Sequence, residues 1–193
     1  MKNIPRLVLL STLVVTGAAM AAPATYNIDP THTYPSFEAD HMGGVSIWRG
    51  KFNSSSGKIV LDTVSKTGTV DVTIDINSID FGLDKMNAHA VSAEIFDATK
   101  YPTATYSGTL AGFTDGKPTK VNGNLTLHGV TKPVELTINQ FLCKQNPMSK
   151  KEVCGADALA TFKRSDFGVD YGAAYGFKQE VTLRIQVEAV RAD

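Results

Sequence analysis

The chain has 193 residues, of which 42% are hydrophobic and 20% are charged, a balance that is typical of a globular protein rather than a disordered one. Its 19 lysine and arginine residues equal its 19 aspartate and glutamate residues in number, with no long run of either sign. Binding to nucleic acid or to an anionic membrane surface requires clustered basic side chains, so the composition argues against both.

The first 21 residues have the features of a secretory signal peptide. A basic start with Lys2 and Arg6 precedes the apolar stretch Leu7 to Val15 and a small-residue cleavage site that ends at Ala21. The apolar stretch is far shorter than the roughly 20 residues that span a bilayer. We therefore assign residues 22–193 to one domain of an exported protein, periplasmic or secreted, with 17 basic against 19 acidic side chains.

Alternation of apolar and polar residues, the pattern of strands with one buried face, recurs along this domain. It is unbroken over 70–76, and short segments rich in Asn, Asp, Gly, Ser and Pro separate the alternating stretches. The one stretch with helical character is 83–97, which ends before Pro102. In chain order, the predicted strands are 37–41, 45–52, 59–61, 70–76, 104–110, 121–127, 134–138, 156–162 and 181–187.

Short connections between these strands predict an antiparallel meander. A two-sheet sandwich and a closed barrel would both bury one face of each strand. A long meander with a single helix favours the barrel, because closure removes exposed sheet edges. A small barrel is either filled by side chains or keeps a cavity for one small ligand.

Small residues on the predicted inner face leave room for a cavity. If Phe162 points inward, the three alanines within 156–160 share its face, and Ala104 and Gly108 alternate with Tyr106 on another strand. The same small residues would equally relieve crowding where strands cross. The pattern leaves both interpretations open.

The two cysteines, Cys143 and Cys154, indicate a disulfide, because an even cysteine count in an exported protein is typical of an oxidising compartment. The bridge would pin the ends of the polar loop 144–153. Closing a loop of this length is worth roughly 3 kcal/mol in the chain-entropy model.

No motif for covalent or metal-dependent catalysis occurs, and the four histidines share no metal-ligand spacing. His41 shares a strand face with Phe37 and Ala39, so it either anchors a ligand head group or is a core histidine bonded to a carbonyl. Arg164 follows Phe162 at the same parity, and we expect it to cap the end of the barrel by bonding carbonyls or by stacking on an aromatic ring. We expect His32 to be structural, His89 to lie at the helix surface, and His128 to lie in a hairpin turn before Gly129.

Five segments together resemble the YceI-like proteins, exported bacterial lipocalin-like barrels associated with isoprenoid lipids. They run in the expected order through nearly the whole mature chain, as "YNIDPTHTYPSFEADHMGG" (26–44), "GKF" (50–52), "IFDATKYPTATYSG" (95–108), "VNGNLTLHGVTKPVELTI" (121–138) and "RSDFGVDYG" (164–172). The resemblance implies an all-β fold, an extended eight-stranded antiparallel lipocalin-like barrel with one short helix alongside. It also implies a long apolar cavity for a polyisoprenoid chain, and a homodimer.

One stretch departs from the family pattern. Many members have an arginine and acidic pair followed by a histidine before the segment that matches 95–101, whereas this chain reads "DKMNAHAVSAEIFD". Lys85 and His89 correspond to that pattern only loosely. Any ligand or partner preference that depends on 83–97 therefore does not transfer to this chain.

We predict a non-enzymatic binding protein that holds an isoprenoid lipid (polyprenol or quinone tail) or a similar amphiphile in an apolar lumen, for transport, storage or sequestration. We expect no cofactor besides the bound lipid or quinone, no metal, no nucleic acid and no stable membrane insertion. A barrel enzyme or haem-binding protein that uses His41, and an interaction protein with a filled barrel, are the alternatives. The residues predicted to line the lumen are Phe37, Ala39, His41, Val72, Ile74, Tyr106, Leu125, Leu136, Ile138, Phe162, Leu183 and Ile185.

Overall fold

In a computed structural model of the protein, which describes residues 22–192, the chain forms a closed antiparallel β-barrel. The predicted signal peptide lies outside the described residues. Apart from three short 3-10 turns at 76–78, 164–167 and 173–175, the regular elements are one helix, α1 (Asp84–Val91), and eleven strands. The strands are β1 (Ala24–Ile28), β2 (Tyr34–His41), β3 (Ser46–Phe52), β4 (Ser55–Asp62), β5 (Thr67–Asp75), β6 (Ile79–Asp80), β7 (Thr103–Ala111), β8 (Lys120–Leu127), β9 (Val130–Gln145), β10 (Glu152–Lys163) and β11 (Glu180–Arg191).

These strands build a barrel of eight, because three of the barrel strands are interrupted. β1 and β2 lie end to end along one edge of β11, where Ile28 pairs with Ala189 and Pro35 pairs with Ile185. In the same way, β3 pairs with β2 while β4 pairs with β1. On their other side, β6 pairs with β3 while β5 pairs with β4. Each barrel strand therefore pairs with its successor in sequence, and β11 closes the barrel. The predicted eight-stranded antiparallel barrel with one short helix is confirmed.

The two ends of the barrel differ in what covers them. At one end, here called the helix end, lie α1, the loop 42–45 and the long loop 164–179. At the other, the far end, lie the turns 63–66, 112–119 and 146–151. Within residues 22–192, no helix has the length and apolar character needed to cross a bilayer.

The helix is shorter than the predicted 83–97. It ends at Val91 because Ser92 is extended, with φ −67° and ψ 167°, and its N–H bonds back to the carbonyl of His89. Residues 92–101 then form a series of turns, with Asp97 in the left-handed region at φ 44°. Ala90 remains almost fully buried against the barrel. Beyond Val91 the predicted helical stretch therefore continues as turns rather than as helix.

Several strands also depart from the prediction. β1 and β6 have no predicted counterpart, because five and two residues are too short for the alternation to be clear. β9 continues to Gln145, well beyond the predicted end at 138. As a result Cys143 and Cys154 are directly paired residues of β9 and β10, and their disulfide joins two strands of a hairpin rather than the ends of a loop.

Candidate internal binding cavity

A cavity of about 480 Å³ runs through the barrel interior, within the range of about 300–1,000 Å³ that is typical of ligand pockets. Its lining is mostly aliphatic and aromatic, and every barrel strand contributes to it. All twelve residues predicted to line the lumen do so, namely Phe37, Ala39, His41, Val72, Ile74, Tyr106, Leu125, Leu136, Ile138, Phe162, Leu183 and Ile185.

The side-chain alternation of β-strands explains why sequence alone identified these residues, and a β-bulge explains one that it missed. Asp157 pairs with Gln140, whereas the next residue, Ala158, pairs with Ile138. The extra residue, Asn139, donates a hydrogen bond of 3.1 Å to Asp157. After this bulge the inward parity of β9 changes from even to odd numbers, so that Phe141 also lines the cavity.

Small side chains on the inner face do leave space in this barrel. Ala104, Ala156 and Ala158 line the cavity, while Ala160 on the same face is buried in the core. Tyr106 lies inside, and its hydroxyl donates a hydrogen bond of 2.7 Å to the carbonyl of Val134. Burial raises the pKa of Tyr106 well above its ordinary value. This phenol is therefore neutral and already engaged with the barrel wall.

The polar groups of the lining are concentrated at the helix end. Within the described residues, four charged or histidine side chains line the cavity, and all of them lie at this end: Asp40, His41, His89 and Arg164. Near the far end the lining consists of groups such as Ile59, Phe141, Ala156 and Val187. The cavity is consequently polar at one end and mostly apolar through the rest of its length.

Asp40 and Arg164 hold the loops of the helix end in place. Asp40 accepts hydrogen bonds of 2.9 Å from the backbone N–H groups of Lys178 and Gly43; the bond from Lys178 is the main cause of its lowered pKa. Arg164 donates to the carbonyls of Val169, at 2.9 Å, and Tyr171, at 2.8 Å. Burial lowers the pKa of this guanidinium. The predicted carbonyl-capping role of Arg164 is thus confirmed.

His41 belongs to an aromatic cluster at the same end. Its ring stacks on Trp48 with centroids 4.7 Å apart and meets the edge of Phe177 at 5.2 Å. Trp48 in turn contacts Phe81 at 5.9 Å. Among residues 22–192 the ring nitrogens of His41 have no hydrogen-bond partner. The carbonyl-bonded core histidine anticipated as one alternative is therefore not what forms, and His41 faces the cavity.

The remaining histidines occupy three different environments. His89 is half-buried rather than at the surface, because its Nε2 lies 2.7 Å from Glu94 and its ring contacts Tyr171. His32 bonds Asp29 in the turn between β1 and β2. His128, at φ 51°, forms the two-residue turn between β8 and β9 together with Gly129 at φ 76°, as predicted. No group of three or more His, Cys, Asp or Glu side chains within residues 22–192 is arranged to hold a metal ion.

Comparison with known proteins assigns the chain to a family. A family model described as the YceI-like domain matches residues 26–189. The UPF0312 protein of Pectobacterium carotovorum is 35% identical over 98% of this chain and 97% of its own length. The crystal structure of the Campylobacter jejuni YceI protein matches with a TM-score of 0.65 and 27% identity, over 77% of this chain and 88% of the other.

A further solved structure shares the fold at lower identity. It is a polyisoprenoid binding domain from Saccharophagus degradans, with a TM-score of 0.61 and 17% identity over 86% of this chain and 98% of the other. The family model and the relative of Pectobacterium carotovorum both span nearly the whole described barrel. The chain therefore belongs to the YceI-like family.

Proposed function

We propose that this protein is an exported binding protein whose barrel holds the apolar chain of an isoprenoid lipid, such as a polyprenol or a quinone tail, or of a similar amphiphile. The observation that carries the proposal is the cavity itself, whose lining is mostly apolar and whose charged or histidine side chains, within the described residues, lie only at the helix end. This polarity matches an amphiphile whose head group lies beside His41 and whose chain extends toward Phe141.

Hydrophobic burial supplies the affinity in this arrangement. Each buried CH₂ group contributes about 0.8 kcal/mol, so several isoprene units bind tightly with few polar contacts. Because Tyr106 and Arg164 already have partners within the protein, few groups remain to select among head groups. The same-fold domain of Saccharophagus degradans, described as polyisoprenoid-binding, supports the ligand class at the level of the fold.

Export and a non-enzymatic role complete the proposal. The signal-peptide features of the first 21 residues and the Cys143–Cys154 disulfide both suit a periplasmic or secreted protein. Transport, storage and sequestration all use the same site. The family resemblance also implies a homodimer, and the mass of the native protein tests this directly.

A cavity-filling variant tests the proposal. Ala158 lines the cavity and is buried, so Ala158→Phe displaces part of the bound chain; loss of two methylene contacts weakens binding roughly tenfold. Thr161→Phe places the same ring on the exposed outer face of β10 and is the matched control. The measurement is native mass spectrometry of the freshly purified protein, with identification of the extracted adduct.

The outcome separates this function from an interaction protein with a filled barrel. An apolar adduct that the control retains and Ala158→Phe loses supports the binding protein. Repeated failure of the wild-type protein to load any long-chain lipid contradicts it. Thermal unfolding of both variants shows whether the added ring has damaged the fold.

A second candidate rests on His41, whose ring nitrogens lack protein partners at the cavity mouth. In a barrel enzyme or a haem protein this histidine would act on the ligand or bind the iron. A haem absorption band in the purified protein, or turnover that disappears in His41→Ala, favours that candidate. Lipid binding with unchanged affinity in His41→Ala excludes it.

A further inference from the structure

Exposed apolar side chains are concentrated at the helix end of the barrel. Of the nine most exposed large hydrophobic residues in the described chain, six lie there, whereas Val64, Leu142 and Met148 lie toward the far end. The exposed fractions at the helix end reach 75% for Val45 and 78% for Tyr175. We call these six residues the apolar rim: Met42, Val45, Ile47, Leu83, Tyr171 and Tyr175.

The segments that carry the rim are linked to one another at the helix end. The loop 42–45 is tied to the loop 164–179 through Asp40, which bonds Gly43 and Lys178 together. The two loops also touch directly, since a Cβ atom built at Gly43 would lie 3.1 Å from the carbonyl oxygen of Gly176. The ring of Tyr171 packs on His89 of α1, with centroids 4.9 Å apart, and Leu83 immediately precedes that helix.

The rim surrounds the polar end of the cavity. Tyr171 belongs both to the rim and to the cavity lining, whereas Ile47 lies beside Trp48 of the lining on β3 with its own side chain on the outer face of the strand. A ligand chain that passes through this end therefore moves from the cavity past exposed apolar side chains. Toward the opposite end the described chain exposes three such residues, Val64, Leu142 and Met148, and the turns 63–66, 112–119 and 146–151 there each contain lysine.

The charge around the rim is mixed. The tips of its two loops, 42–45 (MGGV) and 172–176 (GAAYG), contain no charged residue. Asp84 and Lys85, of opposite charge, both follow Leu83, and Lys178 lies close to Gly44. A cluster of one sign, which would select an oppositely charged protein partner or anionic lipid, is not present in these segments. The surface is therefore suited to an uncharged apolar medium.

We propose that the apolar rim docks on the surface of a lipid bilayer, without a requirement for anionic lipid, and that amphiphiles enter and leave the barrel there. The identity of the exchanged amphiphile rests on the proposed function, whereas the docking itself rests on the exposed side chains of the rim. An isoprenoid chain that crosses water exposes all of its apolar surface, whereas a mouth seated in the bilayer interface avoids that exposure. Shallow insertion of apolar side chains together with tyrosines is a recognised mode of interfacial binding.

Vesicle flotation tests the docking. The mature protein is mixed with phosphatidylcholine vesicles, and Val45→Ser combined with Tyr175→Ser removes the two most exposed rim side chains without altering any residue of the cavity lining. The matched control combines Val64→Ser with Met148→Ser at the far end. Because interfacial affinity follows the apolar area buried, we expect the rim variant to lose about tenfold or more of its partitioning and the control to match the wild-type protein.

Two further measurements distinguish failure of the docking from failure of the proposed function. Binding of a short-tailed ubiquinone analogue in vesicle-free solution, followed by the fluorescence of Trp48, the single tryptophan, should be equal in the wild-type protein and the rim variant. Transfer of the same quinone from donor vesicles should be slower in the rim variant. If the wild-type protein floats and the rim variant does not, but no amphiphile ever loads, the docking stands and the proposed function fails.

Three results would overturn the docking. The first is no flotation of the wild-type protein on phosphatidylcholine vesicles at high lipid concentration. The second is an equal loss of partitioning in the rim variant and in the far-end control. The third is a dimer of the wild-type protein that the rim substitutions convert to a monomer, because a second copy of the chain would then cover this surface.

Discussion

Gly123 on β8 has no side chain because the ring of Tyr106 occupies the space above its Cα atom. Gly123 pairs with Gly108 on β7, and a Cβ atom built at Gly123 would overlap the phenol of Tyr106. The phenol also bonds the carbonyl of Val134 on β9. The absence of a side chain at Gly123 therefore lets the ring of Tyr106 extend from β7 across β8 and bond to β9.

Substitution of this glycine tests the arrangement. We expect Gly123→Ala to lower the free energy of unfolding by about 1–3 kcal/mol, the usual cost of forcing extra volume into a packed site, as measured by chemical denaturation. Gly155→Ala is the matched control, since a Cβ there meets only ordinary contacts, the nearest at 3.6 Å. Equal stability of the two variants would contradict the proposed contact.

The β9–β10 hairpin shows how two neighbouring elements depend on one covalent bond. Its strands have 16 and 12 residues, and the disulfide joins paired residues near the turn. Two residues before Cys154, Glu152 accepts hydrogen bonds from Tyr26 of β1 and from Arg191 of β11. Burial is the main cause that raises the pKa of Tyr26 to about 12. The far end is thus stabilised by a bridge and a polar network together.

Loss of the disulfide should destabilise the barrel without emptying it. For a sequence separation of 11 residues, the chain-entropy model gives a loss of about 3 kcal/mol on reduction. We expect a lower thermal midpoint in reducing buffer but an unchanged ligand adduct, because the bridge lies away from the polar end of the cavity. The Cys143→Ser, Cys154→Ser double variant should unfold at the same midpoint in both buffers, and an effect of reductant on it would point to another cause.

At the scale of the whole molecule, ionisation links stability to pH. Among residues 22–192, five carboxylates have lowered pKa values because hydrogen bonds are donated to their charged forms. They are Asp29, Glu38, Asp40, Asp62 and Asp80. The unfolded chain binds more protons than the folded one as these groups titrate, so their contribution is present above their unfolded pKa values and is lost as pH falls through the folded ones.

The contribution of His32 to stability depends on pH in the opposite direction. Its hydrogen bond to Asp29 raises its pKa above 6.5 in the folded state. Its contribution is therefore complete below the unfolded pKa and is lost as pH rises through the folded value. We expect stability to fall steeply below about pH 5 and to decline slightly above about pH 7.

Denaturation with urea at a series of pH values measures this profile. Asp40→Asn and Asp62→Asn each remove one titrating group that accepts backbone hydrogen bonds, so each should make the acid side of the profile less steep. His32→Gln should remove the decline above neutral pH. An acid side that is equally steep in both aspartate variants would show that other groups govern acid unfolding.

The twelve lumen residues could be predicted because strand alternation needs only short-range information: once one residue of a strand faces inward, its neighbours at spacing two do as well. Phe141 could not be predicted in this way, because the bulge at Asn139 arises from pairing between β9 and β10. Strand lengths were also underestimated, since β9 continues to Gln145 with polar and exposed residues that cross-strand hydrogen bonds hold extended.

The sequence by itself determined the strand-rich character, the inward faces, the His128–Gly129 turn and, through its motifs, the family. These features depend on local conformation and on the order of residues along the chain. Only the tertiary structure decided that β1 and β2 share one edge of β11, that the charged and histidine residues of the described lining gather at one end of the cavity, and that Val45 and Tyr175 lie exposed at that same end. These features join segments more than a hundred residues apart, and closure of the barrel is what brings such segments together.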